Sequence, residues 1–597
     1  MNVSEAPAFL NVEASLTGRR WLGPDIETER QAETMAQQTG LAPALCRTLA
    51  RLGVTAMDAP SYLEPSLRDL LPDPRSLRDM ETAAARFLQA AQSGQRIAVF
   101  ADYDVDGGTS GALLIHWLRE LGYPVDQRAT LYVPDRIDEG YGPNAPAIAE
   151  LATNHDLIVC VDCGTLSHEA LAAAGDTDVV VLDHHLGGET LPDVHAVVNP
   201  NRQDESGDLA HLCAAAVVFL MLVEAGRQMR EAGNAGPNLL NLLDFVALAT
   251  VADVAPLIGV NRAFVRQGLK VLAQRRHAGL VALADSAGMD GPPTSYHLGF
   301  LLGPRINAGG RIGKADLGAR LLATVDPQEA SAMAAQLEIL NRERREIENL
   351  TREVAMDQAQ TRLDAHTPEN NQPAALAWAA DDGWHPGVVG IVASRMKEAT
   401  NLPAIVIGFD GEAGKGSGRS VSGVDLGHAI QKLVAEGLLE KGGGHKMAAG
   451  LSLTRAQLEP AMIRLEELLA KQGAGLGGPA ALKLDAMLMP SAAQTDLVAK
   501  IESAGPFGAG APGPRFAFAS QKIFFAKRVG ESHLKISFGD GMGPRIDAIC
   551  FGAFDGAIGP ALQNHNGALF HLAGRLEINR WQGRESVQLR LEDVAEA

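Results

Sequence analysis

Three short apolar runs in the first third of the chain each lead into an aspartate. Arg96-Ile97-Ala98-Val99-Phe100 reaches Asp102, Leu157-Ile158-Val159-Cys160-Val161 ends at Asp162, and Val179-Val180-Val181-Leu182 ends at Asp183. Unbroken β-branched runs, separated by helical stretches such as Ser110 to Leu121, read as parallel strands buried on both faces in βαβ units. An open parallel sheet binds its ligands outside the carboxyl ends of its strands. Acids at three such ends therefore constrain both the fold, an α/β sheet, and the place where its chemistry sits.

The densest acidic stretch follows the first run: Asp102-Tyr103-Asp104-Val105-Asp106-Gly107-Gly108. Closely spaced carboxylates at a strand end repel one another once buried, and divalent cations are the usual remedy. The pattern is not an EF-hand, because that loop needs a bidentate Glu six residues after its glycine, where Leu113 stands. Taken alone, the stretch also admits a second, weaker reading as a helix N-terminus with aspartate caps. Further acids and imidazoles favour a metal site: Asp162-Cys163-Gly164-Thr165, Asp183-His184-His185, and Asp253 in Val251-Ala252-Asp253-Val254-Ala255-Pro256. Aspartate in the majority, with histidine beside it, suits Mg²⁺ or Mn²⁺. Four or five carboxylates are too many for one such ion. Two ions about 3.5–4 Å apart, sharing a bridging acid, are the economical arrangement for phosphodiester hydrolysis. One would acidify a water, and both would stabilise charge on the phosphorane and leaving oxygen.

Composition limits the alternatives. The 597 residues suggest about four domains, and a chain 46% hydrophobic and 21% charged is neither disordered, collagenous nor a disulfide mini-protein. With 52 Lys plus Arg against 72 Asp plus Glu, the charge of −20 argues against a uniform basic coat but permits a local basic groove. Five cysteines (Cys46, Cys160, Cys163, Cys213 and Cys550) suit free thiols in a reducing compartment. The Cys160–Cys163 spacing lacks a second cysteine pair for zinc. The opening residues have no apolar core of an export signal, and no window approaches the roughly 18 apolar residues of a membrane span. A cytoplasmic location is expected.

Residues 328–363 contain neither Gly nor Pro, and as a helix they would reach roughly 50 Å. Met333, Leu337, Leu340, Ile347 and Val354 fall near heptad spacing, but Arg344 interrupts the stripe, which favours a connector between lobes over a coiled coil. A second α/β unit is predicted from a strand at 374–379, a helix at 388–398 and a strand at 403–408, with glycine-rich stretches at 414–423 and 442–450. Past the loose linker at 471–478, alternating runs at 521–526, 534–538 and 587–591 predict a small β-barrel.

In this order, DYDVDGG, VDCGT, DHH and ADVAPL resemble the DHH phosphoesterase superfamily and, within it, the RecJ family of single-strand-specific 5′→3′ exonucleases. Gly18-Arg19-Arg20-Trp21, Pro134-Asp135-Arg136 running to Gly142, and Pro304-Arg305-Ile306-Asn307-Ala308-Gly309-Gly310-Arg311 agree. So do Leu340-Asn341-Arg342-Glu343-Arg344, Gly442-Gly443-Gly444-His445 and Pro506-Phe507-Gly508, so the resemblance covers nearly the whole chain. It implies an N-terminal helical segment (1–80), a parallel-sheet DHH catalytic domain (81–325), a connecting helix (326–365), a DHHA1-type α/β domain (366–472) and a C-terminal OB-like β-barrel (478–597).

The resemblance also implies roles. Asp104, Asp106, Asp162, His184 and Asp253 match ligands for two Mn²⁺ or Mg²⁺ ions. His185 matches a histidine that ligates or touches the scissile phosphate, and Asp183 and Asp102 look like acids that orient a histidine or a water. Arg136, Arg305, Arg311 and Arg419 offer forks for phosphates, with Asn307, Ser417 and Ser420 in the same motifs, and His445 follows three glycines where backbone can approach a ligand closely. The glycine-rich Gly414–Ser420 stretch is expected to offer backbone N–H groups to phosphate, and Tyr141 to stack on a base. Lys522, Lys527, Arg528, His533 and Lys535 would charge the barrel. The activity implied is degradation of single-stranded DNA from its 5′ end to 5′-mononucleotides in recombination and repair, by a monomer working with single-strand-binding protein and a RecQ-type or other helicase, with no membrane partner. The alternatives are a DHH phosphodiesterase for short oligonucleotides or cyclic dinucleotides, and a non-catalytic strand-binding scaffold. Small-molecule members usually carry a histidine four positions before the first ligand aspartate, where this chain has Phe100, and scaffolds lose ligand carboxylates that are all present here.

Overall fold

The apolar runs are strands of one sheet. β1 (Ile97–Ala101), β2 (Ala129–Tyr132), β3 (Leu157–Val161), β4 (Asp178–Leu182) and β5 (Ala196–Val198) lie in the order β2-β1-β3-β4-β5, all parallel. Every residue of β1 and β3 is buried, as a strand covered on both faces requires. The chain leaves β1 for β2 on one side and then returns to β3 on the other, so the strand order reverses between β1 and β3. That reversal opens a crevice at the carboxyl ends of those two strands. Helices α1 (Val105–Glu120), α2 (Ala214–Glu231) and α3 (Leu243–Ala252) are buried along most of their length. In this computed structural model the described residues are 7–135, 139–140, 142–365, 373–477, 481–581 and 584–597, with the side chain of Trp581 left aside.

A short helix α4 (Gly303–Ile312) leads to α5 (Pro327–Ala365), whose 39 residues run about 58 Å at 1.5 Å per residue. The stripe expected along α5 holds only in its first half. Met333 and Leu337 are buried, but Val354 is 45% exposed, and Thr351, Ala355 and Ala359 are buried instead. A 3.6-residue turn drifts from a seven-residue repeat, so the buried face rotates along a long straight helix. Between the two halves, Asn341 and Arg344 are buried, and Arg344 donates to Asn341 Oδ1 (3.0 Å) and Glu348 Oε2 (2.5 Å). The interruption read in the sequence is thus a buried polar cluster.

The second sheet contains β6 (Ala377–Asp382), β7 (Ala404–Asp410), β8 (Ala413–Arg419), β9 (Lys441–His445) and β10 (Ala448–Thr454) in the order β9-β10-β8-β7-β6. Helix α6 (Pro386–Thr400) follows β6 and packs on β7 and β8. Both glycine-rich stretches contribute strands, including Gly414–Ser420, expected to offer its backbone N–H groups to phosphate. β8 is paired along its whole length with β7 and β10, so its backbone is committed to the sheet. Its glycines face the core: a Cβ on Gly418 would lie 2.5 Å from Ile405 Cδ1, and one on Gly416 2.7 Å from Ile407 Cγ1. Pro65–Ala474, with Gly508–Gly510, form one compact unit.

The other unit gathers residues 1–64, 475–507 and 511–597. Five of its strands close a barrel: β11 (Phe516–Val529), β12 (His533–Gly539), β13 (Ile546–Cys550), β14 (Leu569–Trp581) and β15 (Arg584–Glu596). β11 pairs with β12, β12 with β13, β13 with β15 in parallel, β15 with β14, and β14 with β11. That circuit is an OB-type barrel, filled by Phe518, Phe538, Ile536, Leu572 and Leu589. The two-residue strand Trp21–Leu22 pairs with Leu482–Lys483, and the buried Trp21 indole donates to Asp593 Oδ2 (2.9 Å). Asp593 also accepts from Thr17 Oγ1 at 2.8 Å. Among the described residues no helix is long and apolar enough to cross a membrane.

Asp593→Ala strips a buried indole N–H of its acceptor and is expected to destabilise the barrel unit by about 2 kcal/mol. Urea unfolding checks this, and a midpoint equal to wild type would contradict it.

Candidate metal centre and strand groove

The loop after β1 brings the first acids into the crevice. Asp104 is the N-cap of α1, and its Oδ1 accepts from the backbone N–H groups of Asp106 (2.9 Å) and Gly107 (3.1 Å). A Cβ on Gly107 would lie 2.4 Å from the carbonyl oxygen of Asp102, so only glycine permits this turn. Asp106 is 1% exposed and reaches the start of α2, where it accepts from the backbone N–H groups of Ala214 (2.6 Å) and Ala215 (2.8 Å). A helix N-terminus is a favourable place for that charge. Asp162, at the end of β3, has a φ of 62°, a left-handed conformation uncommon outside glycine.

The histidines arrive from the end of β4. His184 Nε2 lies 3.2 Å from Asp162 Oδ1 and 3.7 Å from Asp106 Oδ2, and its Nδ1 lies 3.9 Å from Asp253 Oδ2. Asp253 is the C-cap of α3. His185 Nδ1 is 2.8 Å from Asp183 Oδ1, which also accepts the backbone N–H groups of His184 (2.7 Å) and His185 (3.1 Å). Asp183 Oδ2 accepts the N–H of Thr165 at 3.0 Å. Three groups of side chains bring one ligand atom each to within 4.8 Å of one another: Asp162, His184 and His185; Asp106, His184 and Asp253; and Asp102, Asp104 and Asp162. All eight acids and imidazoles singled out in the sequence therefore meet at one crevice.

Electrostatics tests whether cations fit. Burial, reinforced by Asp106 and Asp104, pushes Asp162 well above the usual carboxylate range, and the same causes raise Asp253 to about 8. Burial also raises Asp106, against the opposing charge of His184. Burial alone would lift Asp183 and lower His185. Their mutual hydrogen bond and charge prevail, holding Asp183 well below its ordinary value and raising His185 to about 9. The cluster cannot be fully ionised without positive charge among it, and its hard oxygen donors with imidazole suit Mn²⁺ or Mg²⁺.

The residues expected on the substrate divide into two sets. Arg311 donates to the carbonyl of Gly387 (2.9 Å) at the start of α6 and lines a groove of about 370 Å³ with Ser417, Lys415, Lys441 and Ser452. Arg419 shares a face of β8 with Ser417, close to Gly390 of α6. His445 is exposed at the end of β9. Arg305, by contrast, is 5% exposed and donates to Glu338 Oε2 (2.5 Å) and the carbonyl of Leu301 (2.7 Å), bracing α4 against α5. Ser420 is 1% exposed, and its hydroxyl donates to the carbonyl of Val424 (2.8 Å). Asn307 is half-buried in α4. Arg136 and Tyr141 lie outside the described residues. Lys415 and Lys441 were missed by sequence reasoning. Strand alternation puts Lys415 on the face of Ser417 and Arg419, and register places Ser452 between the two lysines.

A parallel sheet with D-x-D and D-H-H at its switch point, followed by a second α/β domain, defines a DHH-type phosphoesterase. Family profiles agree: the DHH family, N-terminal domain matches residues 96–250, the DHHA1 domain 371–471 and the RecJ OB domain 484–593. A protein of Dickeya dadantii, named single-stranded-DNA-specific exonuclease RecJ, is 36% identical over 572 residues, which span 92% of this chain and 96% of that protein. Two crystal structures of RecJ from Thermus thermophilus, each 28% identical, cover 97% of this chain. The Mn²⁺ complex superposes with a TM-score of 0.76 over 79% of its own chain, and the Mg²⁺ complex with 0.70 over 78%. The chain belongs to the RecJ family.

The raised carboxyls predict a pH dependence. Asp253 is protonated in the fold up to about pH 8 but ionised in the unfolded chain above about pH 4, so its contribution to stability is complete below the lower value and lost through the upper. His185, raised to about 9, acts with the same sign. The melting temperature in EDTA should fall from about pH 5 to 8, less steeply in Asp253→Asn, and Mn²⁺ should reverse the trend. Identical slopes for the two proteins without metal would contradict this assignment.

Proposed function

We propose that this chain is a single-strand-specific DNA exonuclease that works from the 5′ end and releases 5′-mononucleotides with two Mn²⁺ or Mg²⁺ ions, in recombination and repair. The observation that carries the reading is the convergence of Asp102, Asp104, Asp106, Asp162, Asp183, His184, His185 and Asp253 at the switch point of the sheet. Asp104, Asp106, Asp162, His184 and Asp253 would hold the cations. When bound, the cations supply Lewis acidity and a water acidic enough to serve as nucleophile near neutral pH. Asp183 accepts from Nδ1 of His185 and so fixes the tautomer and orientation of a ring that would face the scissile phosphate. Arg311, Lys415, Ser417 and Lys441 would receive the strand backbone in the groove, and Arg419 and His445 would add cationic or polar contacts elsewhere on the second sheet. Arg305 and Ser420 are instead committed to internal bonds, with Glu338 and with the Val424 carbonyl.

Phe100 disfavours a small-molecule phosphodiesterase. It is fully buried and stacked on Tyr132 at 5.3 Å, so the crevice has no imidazole from that position. The acids, imidazoles and groove all come from one chain, which is compatible with a monomer. A strand-degrading enzyme with an OB-type barrel would work beside single-strand-binding protein and a helicase of the RecQ type, and its five buried free thiols suit the cytoplasm.

The test is single-stranded and blunt duplex DNA, labelled at either end and digested with Mn²⁺. Mononucleotides released from the 5′ end of the single strand alone are expected, and Asp162→Ala should lose about 4 kcal/mol of transition-state stabilisation, roughly a thousandfold in rate. Endonucleolytic ladders, or an active Asp162→Ala protein, would defeat the reading. Replacing Lys415 and Lys441 together by Ala should leave metal binding intact and reduce the slope of log affinity against log salt by about 1.4. An unchanged slope would remove the lysines from the strand path.

A further inference from the structure

We infer that Asn199 and Asn201 are positioning residues that hold the two histidines of the metal centre by their main chains. This rests on the metal-site reading above. The last ladder bond between β4 and β5 runs from the Asp183 N–H to the carbonyl of Val198 at 3.0 Å. Beyond it the two segments stay together through side chains. Asn199 Nδ2 donates to the carbonyl of His185 (2.8 Å) and to Thr165 Oγ1 (2.8 Å), and Asn201 Nδ2 donates to the carbonyl of His184 (2.5 Å). The Gly187 N–H then returns a bond to the carbonyl of Asn201 at 3.0 Å. A Cβ on Gly187 would lie 3.1 Å from that oxygen, so the two segments run as close as a paired strand would.

The clamp is itself rigid. Asn199 is fully buried, and its Oδ1 accepts the N–H of Asn201 at 2.7 Å, so both donors and the acceptor of its carboxamide are used. Arg202 pins the far end, donating to the carbonyl of Val197 (2.6 Å), to Asp79 (2.8 Å) and to Asp204 (2.9 Å). Thr165 links Asn199 to Asp183, which holds the His185 ring, so main chain and imidazole are fixed by one connected network. A histidine outside regular structure has its Cα–Cβ direction set by such carbonyl bonds, and metal affinity depends on ring placement. Partners of this kind typically matter about 10- to 100-fold in affinity or rate.

The test uses the full chain with Asn199→Ala and Asn201→Ala, following Mn²⁺ binding by loss of the free-ion EPR signal and metal-free melting in EDTA. Each folded variant should bind Mn²⁺ about tenfold more weakly. At saturating Mn²⁺, kcat should fall while KM for the strand stays within twofold, a split that general destabilisation would not produce. If buried Asn199→Ala fails to fold, Asn201→Ala at the half-buried site decides. Mn²⁺ affinity within twofold of wild type in the folded variants overturns the inference alone. Failure of the wild-type protein to bind Mn²⁺ overturns the metal-site reading and this inference with it.

Discussion

Burial of like-charged carboxylates at one point of a parallel sheet is the constraint around which this molecule is arranged. Moving an ionised carboxylate out of water costs several kcal/mol even after relaxation, and here Asp102, Asp106, Asp162 and Asp183 are all at most 2% exposed. Local dipoles offset part of that cost. Asp106 sits on the first N–H groups of α2, Asp104 caps α1, and Asp183 gathers three backbone N–H groups and an imidazole. What remains must be met by protons or cations. A site that needs metal to hold its charge is also one that delivers metal to a phosphodiester.

Topology explains why residues about 150 positions apart meet. Reversal of strand order between β1 and β3 places the ends of both strands beside one crevice, β4 adds the histidines next to it, and α3 brings Asp253 by its last turn. Cations gather in a separate groove, lined by Arg311 of α4 and by Lys415, Ser417 and Lys441 of the second sheet. Nucleic-acid affinity in a chain of charge −20 can rest on such local placement, since a phosphate backbone responds to cations nearby and is screened from distant acids.

The sequence was most legible where one physical signal dominated. Buried β-branched runs marked β1, β3 and β4, and the acids after them marked the site. β2 and β5 passed unnoticed because edge strands as short as Ala129–Tyr132 and Ala196–Val198 carry too few residues for a pattern. The barrel strands looked shorter than they are because register shifts, as between Phe518 and Gln521 and between Ala573 and Gly574, break the alternation. Gly414–Ser420 looked like a phosphate loop because glycine is ambiguous. Only the neighbours Ile405, Ile407 and Leu426 show that the missing side chains make room for a core. Arg305 looked like a phosphate ligand because its partner, Glu338, lies 33 residues away on another helix.

The most direct measurement is anomalous diffraction at the manganese edge from crystals grown with Mn²⁺. Two peaks about 3.5–4 Å apart, bounded by Asp104, Asp106, Asp162, His184 and Asp253, are predicted. A crevice without peaks, or manganese bound only elsewhere on the chain, would contradict the central claim that these buried acids exist to gather a pair of cations.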